Sequence, residues 1–75
     1  MLVAIPASAL SAHDVVDVDT TVCMWGRGFT GHMTVREVRR IAGMIAVDWH
    51  DRRCSTLHPD DTIEVVMADL PDGAA

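Results

Sequence analysis

The chain has no lysine and no tyrosine, one phenylalanine, two tryptophans and two cysteines. Each shortage excludes something. Two cysteines, Cys23 and Cys54, are too few for the disulfide framework that staples small secreted domains. Without lysine there is no Walker phosphate loop, and the glycine-rich run WGRGFTG at 25–31 does not supply G-x-G-x-x-G either. No stretch approaches the ~20 apolar residues of a bilayer span, so no membrane partner is expected. The apolar start MLVAI has no basic residue ahead of it and stops at Pro6, so it does not read as a secretory leader. A cytoplasmic location follows as the expectation.

What is present is short and sufficient. A chain of 75 residues makes one domain and buries only about 60% of the surface that its unfolded form exposes. It has room for a thin core but not for a pocket of several hundred Å³, so catalysis and cofactors are not expected. A hydrophobic content of 49% supports folding despite a net charge of -5. All six basic residues are arginine, and Ala, Val and Asp abound. That bias is characteristic of a GC-rich genome, which points to a bacterial or bacteriophage source.

The charges fall into blocks. Residues 1–26 carry Asp14, Asp17 and Asp19 with no base. Residues 27–53 hold every arginine against Glu37, Asp48 and Asp51, and residues 54–75 carry five unopposed acids. Such blocks form either a solvated face or a partner surface of mixed sign.

Periodicity supplies the elements. Met1–Ile5, closed by Pro6, reads as an edge strand, and 7–12 as a small-residue link with room for one helical turn. Residues 13–20 alternate, with Val16 and Val18 against Asp17 and Asp19, and the strand extends through Met24 on this reading. Trp25–Gly31 is a loop. Residues 34–42 are two-valued. Thr34 and Glu37 form a capping box with Val35, Val38 and Ile41 at helical spacing, yet these three are β-branched and a bulged strand fits the same pattern. Met44–Trp49 is a strand with Trp49 in the core, 50–53 a hairpin connection, 54–57 a return strand, 58–61 a turn and 62–67 a last strand. Residues 68–75 read as a flexible acidic tail beyond a single domain at 1–67.

The segments IPASAL, HDVVDVD, TVREVRR and IAVDWHDRRCSTLHPDDTIEVV, in that order, resemble the small SH3-like barrel proteins of actinobacteria and their bacteriophages over residues 3–67. The resemblance implies a mainly-β barrel of five to six short strands, in which TVREVRR is a bulged strand. The alternative is an α+β fold with one short helix at 34–42. The chain departs from the group's pattern at His13, where glycine is usual, and in the insert at 22–33. The likeness carries a fold rather than a function.

Three constellations compete for a role. His50, Cys54 and His58 sit at spacings of four, the donor types of a zinc site, but Pro59 and the strand at 54–57 oppose the helix that would align them. Zinc is the least favoured reading, and both cysteines read as small buried side chains. The pair Asp60 and Asp61 belongs to a turn. Trp25, Arg27 and Phe29 share the glycine-rich loop, with Arg36, Arg39 and Arg40 as a second basic group. This set fits a nucleic-acid surface through stacking and phosphate contact, against which stands the net charge of -5. It fits a protein interface better, because Trp, Phe and Arg are the side chains that anchor interfaces. The favoured reading is a non-catalytic module for a protein partner, a phage-encoded modulator of a host protein, with homodimerisation as a special case.

Overall fold

The computed structural model describes residues 1–67. The tail expected at 68–75 lies outside them. The fold is mainly β: among the described residues there are six antiparallel strands in one sheet and no helix beyond two 3-10 turns. The strands are β1 (Leu2–Pro6), β2 (Val15–Asp17), β3 (His32–Ile41), β4 (Met44–Trp49), β5 (Cys54–Leu57) and β6 (Thr62–Val66), in the order β1-β6-β2-β3-β4-β5. The 3-10 turns occupy Ala7–Ala9 and Val22–Met24. No ladder among the described residues joins β1 to β5, so the barrel expected from the sequence leaves that seam without backbone bonds.

The two-valued segment is a strand, and the helix alternative is overturned. In β3, Val35 pairs with Trp49, Glu37 with Asp48 and Val38 with Val47, so Arg36 is the extra residue of a bulge. A bulge shifts the inward set by one position. Val35 is buried and Val38 half-buried, three residues apart, which is the spacing that imitated a helix. Beyond the bulge the ladder with β4 resumes residue by residue, and Ile41 is left 51% exposed. The bulge also lets one ten-residue strand serve both halves of the sheet, since 32–34 pair with β2 and 35–41 with β4. Bent around it, the sheet encloses one core that includes Val16, Val18, Met33, Val35, Ile45, Val47, Trp49, Leu57, Ile63 and Val65.

Two features differ from the expectation of a long second strand. β2 ends at Asp17. There the hydroxyls of Thr20 and Thr21 both donate to the Asp17 carbonyl, at 3.4 and 2.8 Å, and such local bonds compete with a ladder. Thr21 is fully buried, and its Oγ1 also accepts the Glu64 N–H at 3.1 Å. One hydroxyl thus ties the end of β2 to β6 where the backbone pairing has stopped.

Positive backbone angles explain two sequence oddities. His13 takes φ 75° and donates its N–H to the Val35 carbonyl at 2.8 Å. Histidine is among the residues that tolerate this region. Ala42 and Gly43 form the β3–β4 turn at φ 53° and 78°. Two positive angles in a two-residue hairpin favour Asn-Gly, and alanine is strained there by about 1–2 kcal/mol.

Two outcomes follow for stability. Thr21→Val keeps the shape but leaves the Asp17 carbonyl with only the longer Thr20 bond and takes the part-buried acceptor from the Glu64 N–H, so a denaturant melt should show a loss of about 1–3 kcal/mol. Ala42→Asn should raise stability by up to about 1 kcal/mol in the same melt, because asparagine relieves the left-handed strain.

Candidate functional site

The glycine-rich loop is a folded structure. The N–H groups of Met24, Trp25 and Arg27 each donate three residues back, to the Thr21, Val22 and Met24 carbonyls, at 3.0, 3.1 and 3.3 Å. The base is stapled where the Val18 N–H meets the Gly31 carbonyl at 2.8 Å and the Gly31 N–H meets Asp19 Oδ1 at 3.0 Å. Gly26, Gly28 and Gly31 all take φ between 71° and 77°. A side chain at any of the three would meet open space, so the backbone conformation alone demands glycine.

The structure divides the three loop residues chosen from the sequence. Trp25 is 64% exposed. Its indole Nε1 donates to the Asp19 carbonyl at 3.1 Å, which fixes the ring without covering it. Val22, equally exposed, lies three residues earlier on the 3-10 turn, where such positions eclipse one another. Phe29 goes the other way. It is half-buried against the core, its ring centroid 6.3 Å from that of Trp49. One loop aromatic thus packs on the core while the other faces solvent. Arg27 lies between them in sequence, exposed, with Nη1 donating to the Thr56 carbonyl at 3.3 Å.

The residue that holds the loop is one the sequence did not single out, Arg53. Its guanidinium sits 4.3 Å from the Phe29 ring centroid and donates to the Gly28 carbonyl at 3.1 Å. Asp51 braces it with a 2.7 Å bond to Nε. The Arg53 backbone N–H first, and its guanidinium after it, hold the Asp51 carboxyl below its ordinary value near 3.8 against an opposing desolvation. With a depressed folded value, this bracing is present above the ordinary carboxyl range and is lost as pH falls through the folded value.

The second basic group does not form a stripe. Arg36 is the bulged residue. Arg39 and Arg40 are neighbours in a strand and so face opposite sides. Arg39 pairs with Asp48 at 3.1 Å on the outer face, while Arg40 reaches Ser8 and donates to its carbonyl at 3.0 Å.

The candidate metal ligands are also dispersed. His50 lies in the β4–β5 turn, Cys54 opens β5 and His58 follows its end, and four residues of strand separate the last two by roughly 13 Å. Among the described residues no three His, Cys, Asp or Glu side chains converge on a cation position. The cysteines are less buried than expected. Cys54 is exposed on β5, the strand at one end of the sheet, and Cys23 is half-buried. Burial, then the charge of Asp61, pushes the Cys23 thiol above its ordinary value despite Arg27, which leaves it a poor nucleophile.

A groove of about 210 Å³ lies along His32, Met33, Thr34, Trp49, His50 and Asp51. It is smaller than the ~300–1,000 Å³ of small-molecule sites. No buried side-chain nitrogen or oxygen among the described residues lacks a partner, so none is left poised for a ligand. No described helix is long and apolar enough to cross a membrane.

If Arg53 anchors the loop, Arg53→Ala should speed amide exchange at residues 28–31 and lower stability by about 1 kcal/mol. Arg53→Lys should recover only part of this, because an ammonium cannot reproduce the planar fork. Hydrogen-exchange NMR on the three proteins checks it.

Comparison with protein families, with curated proteins and with solved structures returns no significant match, so the functional reading rests on the geometry of this surface.

Proposed function

We propose that this domain is a non-catalytic interaction module whose contact point for a protein partner is the Val22–Trp25 turn. The observation that carries the reading is an exposed tryptophan that is already immobilised. Trp25 presents 64% of its surface while its indole N–H is held by Asp19. Interface energy concentrates on a few aromatic and arginine side chains, and a side chain fixed before contact loses little entropy on binding. Val22 widens the apolar spot, and Arg27 lies two residues beyond Trp25. Asp17 and Asp19 lie just ahead of the turn, and Asp61 acts on Cys23 within it. A partner surface with an apolar notch and basic neighbours suits this combination.

Two features favour a protein over a nucleic acid as the ligand. Phe29 spends one face on Arg53 and its body on the core, so the loop offers one free aromatic where strand binding uses several. Arg39 and Arg40 are directed to Asp48 and to Ser8 from opposite sides of β3, so they do not track a phosphate backbone. The phage-encoded modulator of a host protein, acting in the cytoplasm, belongs to the same proposal and is supported by composition and by the sequence resemblance.

The test is affinity capture from lysate of a GC-rich actinobacterial host, run in parallel with the wild type and Trp25→Ala. The substituted ring is mostly in solvent, so the melt should move by less than about 0.5 kcal/mol, while a captured protein should be released with a loss of about 2 kcal/mol or more. Equal recovery by both forms would refute the reading. Recovery of nucleic acid instead, with binding that collapses as salt rises, would replace it.

A further inference from the structure

The two end strands of the sheet are treated differently by the sequence. β5 has a guard: Arg27 bonds to the Thr56 carbonyl, and the Gly28 carbonyl is tied to Arg53 beside it. β1, the opposite end, reads LVAIP and carries no charge and no bulge. Charges and bulges are the devices by which edge strands avoid one another.

The β1 backbone groups that have no partner among the described residues can be identified. The Met67 N–H donates to the Met1 carbonyl at 2.8 Å, and the Ala7 N–H to the Asp61 carbonyl at 2.7 Å. In an antiparallel ladder bonded pairs alternate with unbonded ones. Odd-numbered residues of β1 therefore bond to β6, and Leu2, Ala4 and Pro6 turn their backbone outward. The Glu64 N–H, facing away from β1 to Thr21, agrees with that parity. Proline has no N–H, so the outward groups are the donors and acceptors of Leu2 and Ala4 and the Pro6 carbonyl. Around them, Met1, Leu2 and Met67 are three of the exposed large hydrophobic side chains, at 74%, 42% and 48%.

We infer that β1 pairs with β1 of a second copy of this chain, antiparallel across a two-fold axis at Val3. In that register Leu2 faces Ala4 of the other copy, and both N–H and C=O groups of each residue bond, closing four hydrogen bonds. An axis at Ala4 sets Leu2 against Pro6 and also closes four bonds, but it places the Leu2 carbonyl opposite a proline nitrogen with no N–H to offer. The apolar edge thus fits itself, which an isologous contact requires. A five-residue edge is short of the ~1,200–2,000 Å² of stable complexes, so the dimer is weak and concentration-dependent. Two copies of net charge -5 repel through space while the edge carries no ion pair. Salt therefore strengthens this association, the reverse of a charge-paired interface.

The experiment is sedimentation equilibrium from micromolar to millimolar protein at low and high salt, with amide exchange measured by NMR. The expected mass rises towards twice the monomer value, and rises further with salt. Exchange at Leu2 and Ala4 should slow about tenfold with concentration, while Val3 and Ile5 stay protected throughout. Ala4→Pro removes an outward N–H that the fold does not use, and it should leave a folded monomer. If that variant unfolds, Leu2→Glu supplies the same test through charge. Trp25→Ala should leave dimerisation unchanged, which separates this edge from the partner-binding turn. A monomer at millimolar concentration, or a dimer whose Leu2 and Ala4 amides stay unprotected, overturns the inference.

Discussion

One tryptophan sets the terms for everything around it. Trp49 is 1% exposed in a core that is otherwise valine, isoleucine, leucine, methionine and alanine. It is the largest of the buried side chains, and its indole N–H is a donor that cannot be left unpaired without a penalty of about 1–3 kcal/mol. Ser55 removes that penalty, its Oγ accepting the N–H at 2.9 Å across the β4–β5 hairpin. Serine is one of only two buried polar side chains among the described residues, and the requirement of the indole explains why it is there. The pairing fixes the ring, and the ring gives Phe29 a surface to lie against. Phe29 in turn gives Arg53 a face to cover. The chain of contacts runs from core to loop without a break.

That chain explains why a loop with three glycines holds a shape. Left to itself, such a segment would lose considerable backbone entropy on ordering. Here it is fixed at both ends and in the middle: Asp19 and Val18 hold the base, Thr21 and Val22 hold the first turn, and Arg53 holds Gly28 and Phe29. One aromatic is used as an inward anchor, and that frees the other to face solvent in a set orientation. The two roles depend on each other, since a loop without Phe29 on the core would not present Trp25 at a fixed position.

The sequence was legible where one physical effect dominated. Period-two alternation sets the bounds of β4 at Met44–Trp49 and of β5 at Cys54–Leu57, and the structure has the same bounds. It left residues 34–42 open between a helix and a bulged strand, because a bulge moves the inward set to the same three-residue spacing, and the register shift between Val35 and Glu37 decides for the strand. Legibility failed where side chains act on distant backbone. The early end of β2 depends on the hydroxyls of Thr20 and Thr21 bonding to Asp17, and the alternation gives no hint of that. The role of Arg53 depends on a loop 25 residues away, reached only once the chain has folded. Cys54 was read as buried from its residue type, yet an end strand places its outward positions in solvent.

Arginine shows the same point from the side of function. Six arginines within 27 residues look like a basic surface when read along a line. In three dimensions at least four have structural work, Arg53 on the loop, Arg39 on Asp48, Arg40 on Ser8 and Arg27 on Thr56. A planar fork with five donors is well suited to carbonyls that a short sheet leaves over. In a domain this small, with loops that lack a ladder of their own, spare carbonyls are numerous. The arginine-rich middle is therefore better understood as a set of clamps on the backbone than as an electrostatic footprint. Its side chains hold the sheet and the loop together, and one result is the fixed position of the uncovered Trp25 ring on the Val22–Trp25 turn.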